Sequence, residues 1–217
     1  TAALTRTQAA QERYFLEFNR YAGSLTDAPP AGLGLRATSD FGYYGLSLVA
    51  AEDGGHRLVR LARYHCRPLG KPASVDRQFP GLYNARRDNL EKFWRGQYGS
   101  THALMLVTSF YENVDRDGKN AVLHFVPKPA DTMLIACLYS AWIDPKEKGG
   151  RPLLTFAAIT DEPPPEVAAA GHDRMIVNIR PENIDAWLSP TGRKPEELAA
   201  ILSDRQKPYY EHEVLAA

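Results

Sequence analysis

The stretch 103-ALMLVTSFYENV-114 carries a long apolar run without a 3.6-residue stripe and ends on a carboxylate and an amide, the profile of a strand rather than a helix. A polar turn, 115-DRDGKN-120, leads from it into 121-AVLHFV-126, so the two runs predict a hairpin. Downstream, 133-MLIACLYSAW-142 and 153-LLTFAAIT-160 read as further strands. Upstream, 43-YYGLSLVA-50 and 56-HRLVRLARY-64 form a second hairpin pair around 51-AEDGG-55, and 208-PYYEHEV-214 alternates as a last strand. Six or more strands with no regular strand–helix alternation predict an α+β fold, mainly an antiparallel sheet or open β-barrel with short peripheral helices.

The helical signals are peripheral to these runs. Residues 5–23 place Tyr14, Phe15, Phe18 and Tyr21 at helical spacing ahead of Gly23. Residues 24–35 are loop by composition, and 65–83 is a long irregular segment interrupted by Pro68, Pro72 and Pro80. An amphipathic helix is expected over 85–95, a proline-initiated one ending at Gly171, and two more over 181–188 and 195–202. No repeat or low-complexity tract divides the chain, which is expected to form a single domain over 1–217.

With 44% hydrophobic and 24% charged residues, the chain can bury a core without disulfides or metals. No window approaches the roughly 20 apolar residues of a membrane helix, and no signal-peptide pattern opens the sequence. Cys66 and Cys137 are the only cysteines, so a reducing cytoplasm and free thiols are expected. Net charge is zero, yet residues 60–95 hold nine bases against three acids, a stripe suited to phosphates or simply a solvated basic face.

Several residues in this frame could carry chemistry. Strand alternation places Glu112 on the face of Leu106, Thr108 and Phe110, where desolvation would favour its neutral form, unless it emerges into solvent at the strand end. His172 stands between a helix stop and the apolar 175-MIVNI-179; it suits either a structural role or proton transfer, and Arg174 would share its side. In 81-GLYNARRDNLEKFW-94, Asn84 offers both a donor and an acceptor, and Arg86 a fork for phosphate oxygens. Tyr64, Phe79, Tyr83 and Trp94 interleave aromatic rings with these cations, as single-stranded nucleic acid requires, though such spacing also serves a core. No histidine or cysteine spacing reads as a metal site, and no glycine-rich phosphate motif implies a cofactor; none is expected.

Taken in order, 84-NAR-86, 110-FYE-112, 136-ACLY-139, 159-IT-160, 172-HDRM-175 and 187-WL-188 resemble the SOS response-associated peptidase (SRAP) family over about residues 60–190, and more faintly through the first helix. The resemblance implies a monomeric sensor of abasic sites in single-stranded DNA. It would remove its initiator Met autocatalytically and use the exposed N-terminal Cys to form a covalent thiazolidine with the ring-opened sugar. By the same resemblance, Asn84 would position the N-terminal residue, and Glu112 would move the proton on the amine or sugar oxygen. His172 would assist ring opening and Schiff-base steps, and Arg86 and Arg174 would hold flanking phosphates. Arg63 and Tyr64 fall where the family has an Arg-Trp pair, which implies a DNA contact with Tyr64 stacking on a base.

Besides Tyr64, the chain departs from the family pattern at Cys66, where the family has an apolar residue, and at three further places. Asn113 and Ile176 replace its Trp and Pro, and the sequence starts at Thr1 without the nucleophile. A Met-Cys leader ahead of Thr1 is therefore expected. A Thr1 amine could still form a Schiff base, but its hydroxyl closes a ring far less readily than a thiolate. The alternatives are a non-catalytic single-stranded-DNA-binding module that has lost the nucleophile and, less well supported, a peptidase acting on other proteins.

Overall fold

The computed structural model describes residues 45–53, 56–116, 118–146, 149–150 and 152–216, with side chains from Val59 onward except Leu61 and Ala216. The expected helix over 5–23, the loop over 24–35 and Thr1 lie outside the described residues. Strands dominate: β1 (Gly45–Asp53), β2 (His56–Tyr64), β3 (Asn84–Arg86), β4 (His102–Val107), β5 (Phe110–Arg116), β6 (Lys119–Lys128), β7 (Met133–Trp142), β8 (Leu153–Asp161), β9 (Met175–Ile176) and β10 (Tyr209–Ala216). Among the described residues four short helices accompany them: α1 (Val75–Gln78), α2 (Pro165–Ala169), α3 (Ile184–Leu188) and α4 (Pro195–Ser203).

The larger sheet runs β2-β1-β4-β7-β8-β3, and β2 also pairs with β8, so five of its strands close on themselves. A second, antiparallel sheet has the order β10-β6-β5. This is the expected α+β architecture, strand-rich and curled, with short helices at its margin. Two of its pairings are parallel: β2 with the start of β8, and β3 with its end. Both lie on one edge of β8, because the 65–83 segment leaves β2 and returns to lay Asn84–Arg86 along the next stretch of that edge.

β7 and β8 explain why their sequences are apolar at nearly every position. Met133, Ile135, Cys137, Phe156 and Ala158 enter one core, while Ala136, Leu138, Ala157 and Ile159 enter a second on the opposite face. A sheet covered on both faces reads as a continuous apolar run. Trp187 is fully buried in the second core; its indole N–H donates to the Ala103 carbonyl at 3.0 Å and its ring stacks on His102 at 3.8 Å. Burial pushes the His102 imidazole down to about 3, and it stays neutral between the Gly99 N–H and the Trp187 carbonyl.

Two local expectations are overturned. The run 103–114 is not one strand: it breaks at Thr108–Ser109, where the chain passes from the larger sheet to the smaller. Leu106, 37% exposed, therefore does not share the face of Glu112; Phe110 and Val114 do, and both are buried. The helix over 85–95 is absent as well. Asn84–Arg86 pair with Ala158–Thr160, and a single 3-10 turn and irregular turns follow. The apolar spacing there still serves burial, since Leu90 and Trp94 enter the second core. Backbone pairing to an open strand edge outweighed helical periodicity.

Candidate active site

The candidate residues stand on β2, β3, β5 and the segment between α2 and β9, with Tyr64, Phe110, Val114 and Met175 of these elements packed into or against the first core. Gly171 ends α2 with φ +101°, a conformation few residues other than glycine adopt, and its Cα faces Val114, so an added Cβ would stand 3.7 Å from that side chain. The turn sets His172 against β5. There His172 Nε2 lies 3.0 Å from the Glu112 carboxylate, and Nδ1 lies 2.7 Å from the Arg174 carbonyl. The Arg174 backbone N–H also points at Nδ1, from 3.3 Å, so the amide and carbonyl of one residue both hold the ring while Nε2 faces Glu112. Burial raises the Glu112 carboxyl above its ordinary value, the His172 charge opposes this, and Asp173 adds to it. A carboxyl whose protonated form burial favours, set against an imidazole, is an arrangement suited to proton transfer.

Asn84 reaches the same rim from the edge of β8. Its side-chain oxygen accepts a hydrogen bond from the Tyr64 hydroxyl at 3.3 Å. The Tyr64 ring stacks on Phe156 at 5.0 Å and meets Tyr83 edge-on at 6.0 Å. Burial foremost, then the charges of Cys137 and Glu112, hold the Tyr64 phenol well above its ordinary value. Tyr64 therefore links the Asn84 half of the site to the Glu112–His172 half. Just beyond it, His65 takes φ +121°, a strained backbone for a residue with a side chain, and turns the chain out of β2.

The predicted DNA-contacting residues separate into two kinds. Arg86 is exposed and pairs with Asp88 at 2.7 Å, and Asp173 and Arg174 act on that pair through space. Arg63 is buried, 6% exposed, with its guanidinium turned onto Asp76 at 2.7 Å instead of outward. Tyr64, too, is committed to packing rather than spread on the surface. Four of the nine cations in the 60–95 stripe are ion-paired: Arg63 and Arg67 with Asp76, Arg86 with Asp88, and Arg87 with Asp161. Asp76 and Asp88 belong to the stripe itself, so only Asp161 adds a negative charge to its balance, but the pairing turns Arg63 and Arg67 away from the surface. Burial alone would raise the Asp76 carboxyl, but hydrogen bonds from Arg67 and Arg63 outweigh it and hold the group below its ordinary range.

Sequence reading named Asn84, Glu112 and His172, but it missed the Tyr64 hydroxyl as the partner of Asn84 and Asp76 as the hub for Arg63 and Arg67. Only Arg86-x-Asp88 had a spacing that hinted at its contact. Among the described residues no cluster of histidine, cysteine or carboxylate side chains could hold a metal ion, and no helix is long and apolar enough to cross a membrane. Both cysteines are buried free thiols, and burial pushes the Cys66 thiol up to about 12.

A family model described as SOS response associated peptidase (SRAP) matches residues 36–216. The chain is 32% identical over 124 residues to the abasic site processing protein YoqW of Bacillus subtilis strain 168, a match covering 56% of this chain and 54% of YoqW. It is 31% identical over 159 residues to the abasic site processing protein YobE of the same strain, covering 71% and 69% of the two chains. The chain thus spans about half the length of YoqW. Among solved structures, a Bordetella bronchiseptica protein superposes with a TM-score of 0.66 at 16% identity over 95% of this chain and 96% of its own. A Bacteroides thetaiotaomicron protein does so with 0.64 at 18% identity over 79% and 74%. At such identities these two speak for the fold alone, but the family match takes in the strands, the Glu112–His172 pair and Asn84 together: the chain belongs to the SRAP family.

Proposed function

We propose that this protein, acting as a cytoplasmic monomer, binds single-stranded DNA and captures abasic sites covalently through its mature N-terminal residue, a Cys expected ahead of Thr1 and freed by autocatalytic removal of the initiator Met. The observation that carries the reading is the partly buried Glu112–His172 pair at 3.0 Å, in a chain similar to two abasic site processing proteins.

The chemistry needs a proton donor and acceptor at one place. The ring-opened sugar presents an aldehyde; the α-amine adds to its carbon, and the carbinolamine loses water to give an imine. Departure of that water needs a proton on oxygen, which Glu112 supplies when protonated. The thiol sulfur then adds to the imine carbon, its proton passes to the nitrogen, and a five-membered ring closes. His172 buffers the Glu112 proton through these steps, its orientation fixed by the Arg174 carbonyl. Asn84 positions the amine or the sugar oxygen by hydrogen bonding. Arg86 and Arg174 bracket the lesion through its flanking phosphates, while Arg63 is held inward on Asp76 beside Tyr64.

The test is a denaturing gel of the protein, with its native N-terminus verified by intact mass, after incubation with an oligonucleotide carrying one abasic site. A slower-migrating covalent band, absent with an intact strand, is expected. Equal, purely salt-sensitive binding of both strands without such a band would sink the proposal in favour of a non-catalytic binding module.

A further inference from the structure

The Tyr64 hydroxyl is left without a task by the chemistry above, although it makes the closest side-chain contact recorded for Asn84. We propose that Tyr64 is a positioning residue: its hydroxyl pins the oxygen end of the Asn84 carboxamide and thereby turns the amide's N–H donors toward the reacting sugar. This rests on the abasic-site reading and assigns Asn84 a definite polarity within it, as a donor to oxygen.

The geometry is built into the strand pairing. Tyr64 sits opposite Phe156 and Asn84 opposite Ala158, on the same edge of β8. Positions two apart on a strand project to one face, roughly 7 Å apart, within reach of a phenol and a carboxamide. The Tyr64 ring cannot swing, because it lies nearly parallel to Phe156, at 15°, and edge-on to Tyr83. Its O–H donates to Asn84 Oδ1 at 3.3 Å. A planar amide held at its oxygen has one orientation left for its nitrogen, on the side away from the phenol. Without that bond, the carboxamide could rotate by half a turn and present its oxygen instead. Burial keeps the phenol protonated at any pH the protein meets, so the donor is permanent.

Two measurements test this. In the first, single-turnover crosslinking to abasic oligonucleotide is followed at increasing DNA concentration for wild type, Tyr64→Phe, Asn84→Ala and the double variant. Tyr64→Phe deletes one oxygen and keeps the ring, so the saturating rate is expected to fall about tenfold with the half-saturating concentration unchanged. Added to Asn84→Ala, it should cost nothing further, because a residue acting through another loses its effect when that other is gone. An additive loss, an unchanged rate, or a fall in DNA affinity with the rate at saturation intact would overturn the proposal; the last would mark Tyr64 as a base-stacking residue. In the second, the side-chain amide resonances of Asn84 in 15N-labelled protein, assigned by their loss in Asn84→Asp, should move in Tyr64→Phe while those of Asn113 and Asn183 stay. Unmoved Asn84 resonances would refute the contact. If wild type forms no crosslink, the abasic-site reading fails, and the resonances still decide whether Tyr64 orients Asn84.

Discussion

Glu112 and His172 form a unit in which neither side chain makes chemical sense alone. A carboxyl on the rim of an apolar core would be a liability if it were always charged, and the imidazole at 3.0 Å gives its proton a second resting place. Replacing Glu112 with Gln keeps the shape and removes the proton. Crosslink formation is expected to drop by about 10²-fold, the scale of one general acid–base contribution, while binding to an intact single strand holds. Single-turnover kinetics across pH would check this, since the variant should also lose the limb of the profile governed by Glu112. The stability effect has a definite sign. The folded carboxyl is raised above its ordinary 4.5, so its favourable contribution is complete below that pH and fades as pH rises through the folded value. Thermal melts of wild type relative to Glu112→Gln should accordingly worsen from acid toward neutral pH.

At the scale of single elements, the α2–β9 connection decides where His172 lies. Gly171 combines φ +101° with a neighbour, Val114, at ordinary contact distance, so the obstacle to substitution there is the backbone rather than space. Gly171→Ala is expected to cost about 1–2 kcal/mol, read from denaturant midpoints, and to slow crosslinking by shifting His172 off Glu112. A variant with wild-type stability and rate would show that the turn has no such role. β3 makes the complementary point. Its three residues are too few to hold a conformation alone, and Asn84 is fixed because β8 offers an unpaired edge beyond the point where β2 leaves it.

Across the whole molecule, partly buried ion pairs tie the loops to the sheets. Asp76 receives Arg63 and Arg67 at 2.7 and 2.6 Å, and Asp161 receives Arg87 and Arg205 at 2.8 and 3.2 Å. For both acids burial acts to raise the carboxyl, but hydrogen bonds from the arginines prevail and lower it. A depressed folded value contributes stability that is present above the ordinary 3.8 and lost as pH falls below it toward the folded value. Asp76→Asn is expected to cost about 3 kcal/mol at neutral pH by leaving two arginines short of a counter-charge, and to flatten the acid limb of the stability curve. Urea unfolding at neutral and acid pH would check both; an unchanged acid limb would place the titrating group elsewhere.

Much of this molecule was open to a linear reading, and the remainder has a common cause. Strand alternation, turn residues and prolines at helix starts are local effects, so β6 to β8 and the helices near 165, 184 and 195 were legible with small boundary errors. The ordered motifs pointed to Asn84, Glu112 and His172, and the structure sets Glu112 and His172 3.0 Å apart. The sequence alone, then, determined a strand-rich α+β chain and the three groups proposed to carry its chemistry. Only the tertiary structure decided that 85–95 would surrender its helix to the edge of β8, that the 103–114 run would change sheets at Thr108–Ser109, that Arg63 would face inward to Asp76, and that Tyr64 would hold Asn84. Each of those outcomes depends on a partner 13 or more residues away or on a competition for buried space, and local periodicity carries no information about either.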